Sequence, residues 1–92
     1  MPISFDKRVR VSPDVLISDV GGESVLLNLK TESYFGLDVV GARMWAAVTD
    51  AESIETAYEA LQMQYDVAPE RLRSDLDELL GKLVEHGLVE LK

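Results

Sequence analysis

Two periodicities divide the chain. Toward the front, short apolar runs alternate in the manner of strands. Val15-Leu16-Ile17-Ser18-Asp19-Val20 is aliphatic and β-branched, Gly21-Gly22 supplies a tight turn, and residues 24–30 follow with Val25, Leu27 and Leu29 on one face. Thr31-Glu32 marks a second turn, after which residues 33–37 return with Tyr34 and Gly36 facing opposite to Phe35 and Leu37. The pattern predicts a three-stranded antiparallel meander. Val9-Arg10-Val11 precedes Ser12-Pro13, and because proline donates no ladder hydrogen bond, residues 1–12 are expected to be a flexible or edge-pairing arm.

From Asp38 onward the spacing becomes helical. Asp38 is placed to cap a helix over residues 39–48, with Val40, Met44, Trp45 and Val48 at helical intervals. Ser53 caps a second helix, whose stripe is Ile54, Ala57, Tyr58, Leu61 and Tyr65. Pro69 suits the first position of a third, where its missing amide hydrogen is not needed, and Val67 and Leu72 stand at the two positions of a hydrophobic staple. Leu72, Leu76, Leu79, Leu80 and Leu83 form the apolar face of that helix, which is expected to stop at His86-Gly87. Residues 88–91 add a short final strand. A meander followed by three helices is a winged-helix-like α+β layout, and the length suits one domain over residues 1–92.

Composition narrows the chemistry. With no cysteine there is no disulfide framework, thiolate metal site or cysteine nucleophile. The N-terminus is charged too early for a signal peptide, and no apolar run approaches the roughly 20 residues of a membrane span. The expectation is a soluble cytoplasmic protein that does not engage membrane. Net charge is −8, all of it from residues 32–92, where 13 acids face five bases. Such a surface repels a phosphate backbone and favours basic partners, so nucleic acid is not expected as a ligand. His86 is the sole histidine and sits at a helix C-terminus, where a cap is the natural role. The carboxylates of Asp75-Leu76-Asp77-Glu78 are distributed around a helix and do not converge. No catalytic constellation, metal site or cofactor-binding loop is evident.

The order Leu27-Asn28-Leu29, Tyr34-Phe35-Gly36-Leu37, Gly41-Ala42-Arg43-Met44-Trp45, Tyr65-Asp66-Val67 and Gly87-Leu88-Val89 resembles the PqqD family, also called the RiPP precursor peptide recognition element. The likeness runs over residues 12–91. It implies a non-catalytic domain that captures the leader of a ribosomally made precursor peptide and presents it to modifying enzymes. In that family the leader adds as a strand beside the third strand of the meander, in a groove bounded by the third helix. The block from Tyr34 to Trp45 looks most like the free-standing recognition proteins of lasso peptide pathways, which work with a leader peptidase and a cyclase. The alternative within the family is the partner of a radical SAM enzyme in pyrroloquinoline quinone synthesis.

Carried onto this chain, the resemblance makes Ser33, Tyr34, Phe35, Gly36 and Leu37 the docking edge, since an unpaired strand edge offers amides and carbonyls to an extended peptide. Leu72, Leu76, Leu79 and Leu80 are the expected apolar floor, with Leu80, off the centre of the stripe, the foremost groove candidate. Asp75 or Glu78 would attract basic residues, and Asp75 and Lys82 flank one side of the stripe while Arg73 and Asp77 flank the other. Two other readings compete. A winged-helix regulator would insert the third helix into DNA through Arg71 and Arg73, but Glu70, Asp75, Asp77, Glu78 and Glu85 on that helix oppose it. A homodimer pairing the same edge with itself would associate in a concentration-dependent way.

Overall fold

The computed structural model describes residues 3–92. Its elements are β1 (Val9–Val11), β2 (Val15–Val20), β3 (Glu23–Asn28), β4 (Ser33–Leu37), α1 (Val39–Asp50), α2 (Ile54–Gln64), α3 (Pro69–Glu85) and β5 (Val89–Leu91). The meander is a three-stranded antiparallel sheet in the order β2-β3-β4, and the fold is α+β as expected. Gly21 and Gly22 join β2 to β3 with φ of 60° and 89°, the left-handed pair that a two-residue hairpin turn demands. Asn28 organises the next turn, its Oδ1 accepting from the Lys30 and Thr31 amides at 3.0 and 3.4 Å.

The helices start and stop where their caps dictate. Asp38 Oδ1 accepts from the Gly41 amide at 2.7 Å at the head of α1, and Ser53 Oγ accepts from the Thr56 amide at 3.2 Å at the head of α2. Pro69 occupies the first position of α3. At its end Gly87 takes φ 69°, the Leu88 amide donates to the Leu83 carbonyl at 2.9 Å and the Gly87 amide to that of Val84 at 3.0 Å. Those two bonds constitute a Schellman motif, and Leu88 packs into the core behind it.

Leu26 and Leu37 from the sheet meet Met44, Trp45, Val48, Ile54, Leu61, Leu76 and Leu83 from the helices in one buried cluster. The inward residues of β3 are Ser24, Leu26 and Asn28, so the face carrying Val25 and Leu27 is the outer one, and Leu29 beyond the strand is exposed. The apolar count favoured the Val25 face. Asn28 and Ser24 are nevertheless the buried pair because their polar atoms are satisfied, by the turn amides and by Asp19 respectively.

The described part of the N-terminal segment does not pair with the meander. Residues 1 and 2 of the expected arm lie outside the described residues. Beyond them, β1 pairs antiparallel with β5, Val9 opposite Leu91 and Val11 opposite Val89. Ahead of β1, the carbonyls of Phe5 and Lys7 accept from the Glu55 and Ile54 amides, at 2.8 Å each, and so satisfy the first turn of α2. Phe5 is buried against Tyr58, with the Arg73 guanidinium 4.0 Å above its ring centroid. Among the described residues no helix is long and apolar enough to cross a membrane.

Candidate functional site

Among the described residues β4 pairs only with β3, which leaves its other edge open. Which backbone groups face that edge follows from the ladder. Leu29 donates to the Asp14 carbonyl across β2, and the Val20–Glu23 pair closes a two-residue hairpin, so the odd-numbered residues of β3 aim their peptide groups at β2. The even-numbered ones aim at β4, where Ser24, Leu26 and Asn28 oppose Leu37, Phe35 and Ser33. Tyr34 and Gly36 therefore turn their amides and carbonyls outward. The strand edge is open, and its outward hydrogen-bonding groups belong to those two residues.

Beside this edge lies an open groove of about 310 Å³ between β4, the first turn of α1 and α3. Phe35, Gly36 and Leu37 form one wall, Asp75, Glu78, Leu79 and Lys82 the other, and Asp38 with Gly41 closes one end. Six of the expected residues thus come together: Phe35, Gly36, Leu37, Asp75, Leu79 and Lys82. Ser33 does not line the cavity, and its hydroxyl instead meets that of Thr31 at 2.7 Å. Tyr34 points to the outer face of the sheet with 74% of its surface exposed, while Phe35 is the partly buried aromatic of the pair.

Three floor assignments need correction. Leu72, Leu76 and Leu80 are buried in the core at 2%, 0% and 0% exposure and do not reach the groove. The rotation of α3 explains it: the buried stripe is Leu72, Leu76, Leu80 and Leu83, at intervals of four, four and three, and that centres the helix one step away from Leu79. Leu79 is left at the margin facing β4, so it, not Leu80, is the apolar residue that α3 gives the groove. Asp75 and Lys82 share its flank, and Arg73 and Asp77 lie on the opposite one, in a separate cavity with Ile3 and Phe5.

Asp38 and Gly41 were absent from the expected site although the sequence holds the clue. An N-cap immediately after an edge strand places the first helical turn at the end of that strand. A Cβ at Gly41 would come within 3.2 Å of Asp38 Oδ1 and 3.3 Å of Leu37 Cδ2, so any larger residue there has to push those side chains back.

The groove is acidic with one local neutralisation. Lys82 Nζ lies 3.4 Å from Glu78 Oε1, whereas Asp75 reaches Arg71 only at 4.0 Å, with both side chains largely exposed. At the C-terminal end of α3 the His86 ring packs edge-on against Phe35, 5.1 Å between centroids, and His86 Nδ1 is 2.8 Å from the Lys82 carbonyl oxygen. An extended segment could therefore hydrogen-bond to Tyr34 and Gly36 while placing alternate side chains against Phe35, Leu37 and Leu79.

A second surface lies on the other side of the sheet. Leu16, Ile17, Val25, Leu27 and Tyr34 frame an exposed apolar concavity of about 500 Å³.

Residues 23–89 match the family model for coenzyme PQQ synthesis protein D, PqqD. Among solved structures, TbiB1 in complex with the TbiA(beta) leader peptide is 33% identical over 88% of this chain and 94% of that one, with a TM-score of 0.82. A lasso peptide synthetase B1 complexed with the leader peptide has the same fold, at a TM-score of 0.81 over 90% of this chain and 98% of that one, with 22% identity. No curated protein matches the sequence significantly.

Proposed function

The chain belongs to the PqqD family, and from that membership we propose that it is a leader-binding protein of a peptide maturation pathway. The carrying observation is the open β4 edge beside a groove, in a chain that is 33% identical to a protein whose structure holds a leader peptide. The leader adds as a strand along Tyr34 and Gly36, and its inward side chains enter the groove between β4 and α3. Backbone pairing supplies sequence-tolerant affinity, and the groove supplies choice. The role is capture and delivery, without chemistry of its own.

The pathway reading is that of a lasso peptide system, with a separate leader peptidase and cyclase as downstream partners. What supports it is the block from Tyr34 to Trp45, together with a fold shared with a lasso peptide synthetase B1 that was solved with its leader peptide. The exposed apolar outer face of the sheet suits such a partner, because it shares β4 with the leader edge and leaves the groove unobstructed. The second reading, delivery of the precursor to a radical SAM enzyme in pyrroloquinoline quinone synthesis, is favoured by the description of the matching family model. A DNA-binding role fits poorly, since Asp75 and Glu78 stand on an exposed flank of α3.

Titration of fluorescently labelled leader peptides from both pathway types separates these readings. Saturable binding to lasso leaders is expected. Failure to bind any leader, together with binding to duplex DNA at physiological salt, overturns the proposal.

A further inference from the structure

Resting on that leader-binding reading, we infer that the peptide class this groove selects is an extended segment with a basic residue two positions away from an apolar one, both facing inward.

The spacing comes from the ladder. A strand hydrogen-bonded to the outward groups of Tyr34 and Gly36 directs its residues opposite Phe35 and Leu37 toward α3, and these two are separated by one outward residue. Inward side chains along a strand recur about every 6.7 Å. The groove of about 310 Å³ thus takes two of them, one at each end.

The two ends differ chemically. Phe35 stands against His86, which marks the C-terminal end of α3, and there Leu79 offers an apolar surface while Lys82 neutralises Glu78 at 3.4 Å. A residue opposite Phe35 meets aromatic and aliphatic carbon and little net charge. The Leu37 end is closed by Asp38 and Gly41, and the earlier turn of α3 brings Asp75 to the same cavity. Asp38 is held here by the bond its Oδ1 accepts from the Gly41 amide, and Asp75 has only the loose Arg71 contact at 4.0 Å. Gly41 carries no side chain to screen either carboxylate, which leaves room for a long lysine or arginine stem. An acidic residue at this position is repelled by both. Exposed charge pairs of this kind discriminate by about two- to fivefold each, so the basic preference is a bias added to sequence-tolerant backbone pairing.

A display library of random dodecapeptides selected on the full chain reads this directly, with the Gly36→Pro variant used to discard peptides that do not need the β4 edge. The expected consensus has Lys or Arg at one position and an aliphatic or aromatic residue two away, and selection on Asp75→Lys loses the preference for Lys or Arg while keeping the apolar position, because Asp38 still repels an acidic residue there. An apolar consensus that is the same for the original chain and for Asp75→Lys overturns the inference and leaves leader binding standing. Recovery of no peptide that depends on the β4 edge overturns both.

Discussion

The ring of Phe35 meets the ring of His86 edge to face, with centroids 5.1 Å apart and planes at 70°. One belongs to the open strand β4 and the other caps α3, so this contact ties the two walls of the groove together at one end. Asn28 reinforces it from below. Its Nδ2 donates to the His86 carbonyl at 3.5 Å while its Oδ1 holds the turn that leads into β4. Replacing Asn28 with Ala takes the partner from these part-buried groups and is expected to cost about 1 kcal/mol of stability. Urea denaturation measures that loss. Hydrogen exchange supplies the sharper readout, because the Lys30 and Thr31 amides should exchange faster in Asn28→Ala while the amides of α2 keep their relative protection. Uniform acceleration across all elements would show that Asn28 is an ordinary core residue with no local organising role.

The alternation of the ladder separates two proline substitutions at adjacent positions of β4. Gly36→Pro removes an outward amide that no protein group uses, so the fold should persist by circular dichroism while leader binding falls by about tenfold, the worth of roughly one hydrogen bond plus local restriction of the strand. Phe35→Pro removes a donor aimed at Leu26 and is expected to unfold the β3–β4 pair. If both variants bound a leader as the original chain does, the peptide would have to lie elsewhere.

Adjacent leucines on α3 give the clearest division between binding and stability. Leu80 is fully buried and Leu79 lines the groove. Leu80→Ala should lose about 2–5 kcal/mol of stability through the cavity it leaves. Leu79→Ala should weaken leader binding several-fold with a small change in the denaturation midpoint. The reverse pattern, binding lost at Leu80 and stability lost at Leu79, would place α3 one residue out of rotation.

That pair also marks the limit of what the sequence discloses. Apolar spacing located β4, the Asp38 cap and the whole of α3, because those features are written in local periodicity and in single residues with one dominant role. Leu79 and Leu80 both fall within the apolar arc of the helix, and only the elements packed against it decide which of them turns inward. The two-stranded pairing of β1 with β5 was equally hidden, since three residues near each end of the chain carry too short a pattern to declare their partner. Asp38 and Gly41 joined the site for a reason of connectivity: the helix they begin starts at the end of the docking strand.

Phe5 tests whether the N-terminal segment is integral to the fold. It precedes the stretch matched by the family model, residues 23–89, yet it is 5% exposed, packs edge-on against Tyr58 at 5.9 Å and lies beneath Arg73. Arg73 is in turn 3.3 Å from Glu55, and the Phe5 carbonyl accepts from the Glu55 amide, so Phe5 joins the segment ahead of β1, the head of α2 and the flank of α3. A phenylalanine in that position behaves as core, and Phe5→Ala should destabilise the chain by about 3–5 kcal/mol. Arg73→Ala removes a half-exposed ion pair and the cation over the ring, which together are worth about 1 kcal/mol. The double variant should cost less than the sum of the two, because removing Phe5 already takes away the ring that Arg73 covers. Strict additivity in a denaturation cycle would mean that the guanidinium draws nothing from the aromatic face. Since Arg73 and Phe5 line the flank of α3 opposite the groove, neither variant should change leader affinity once the protein is folded.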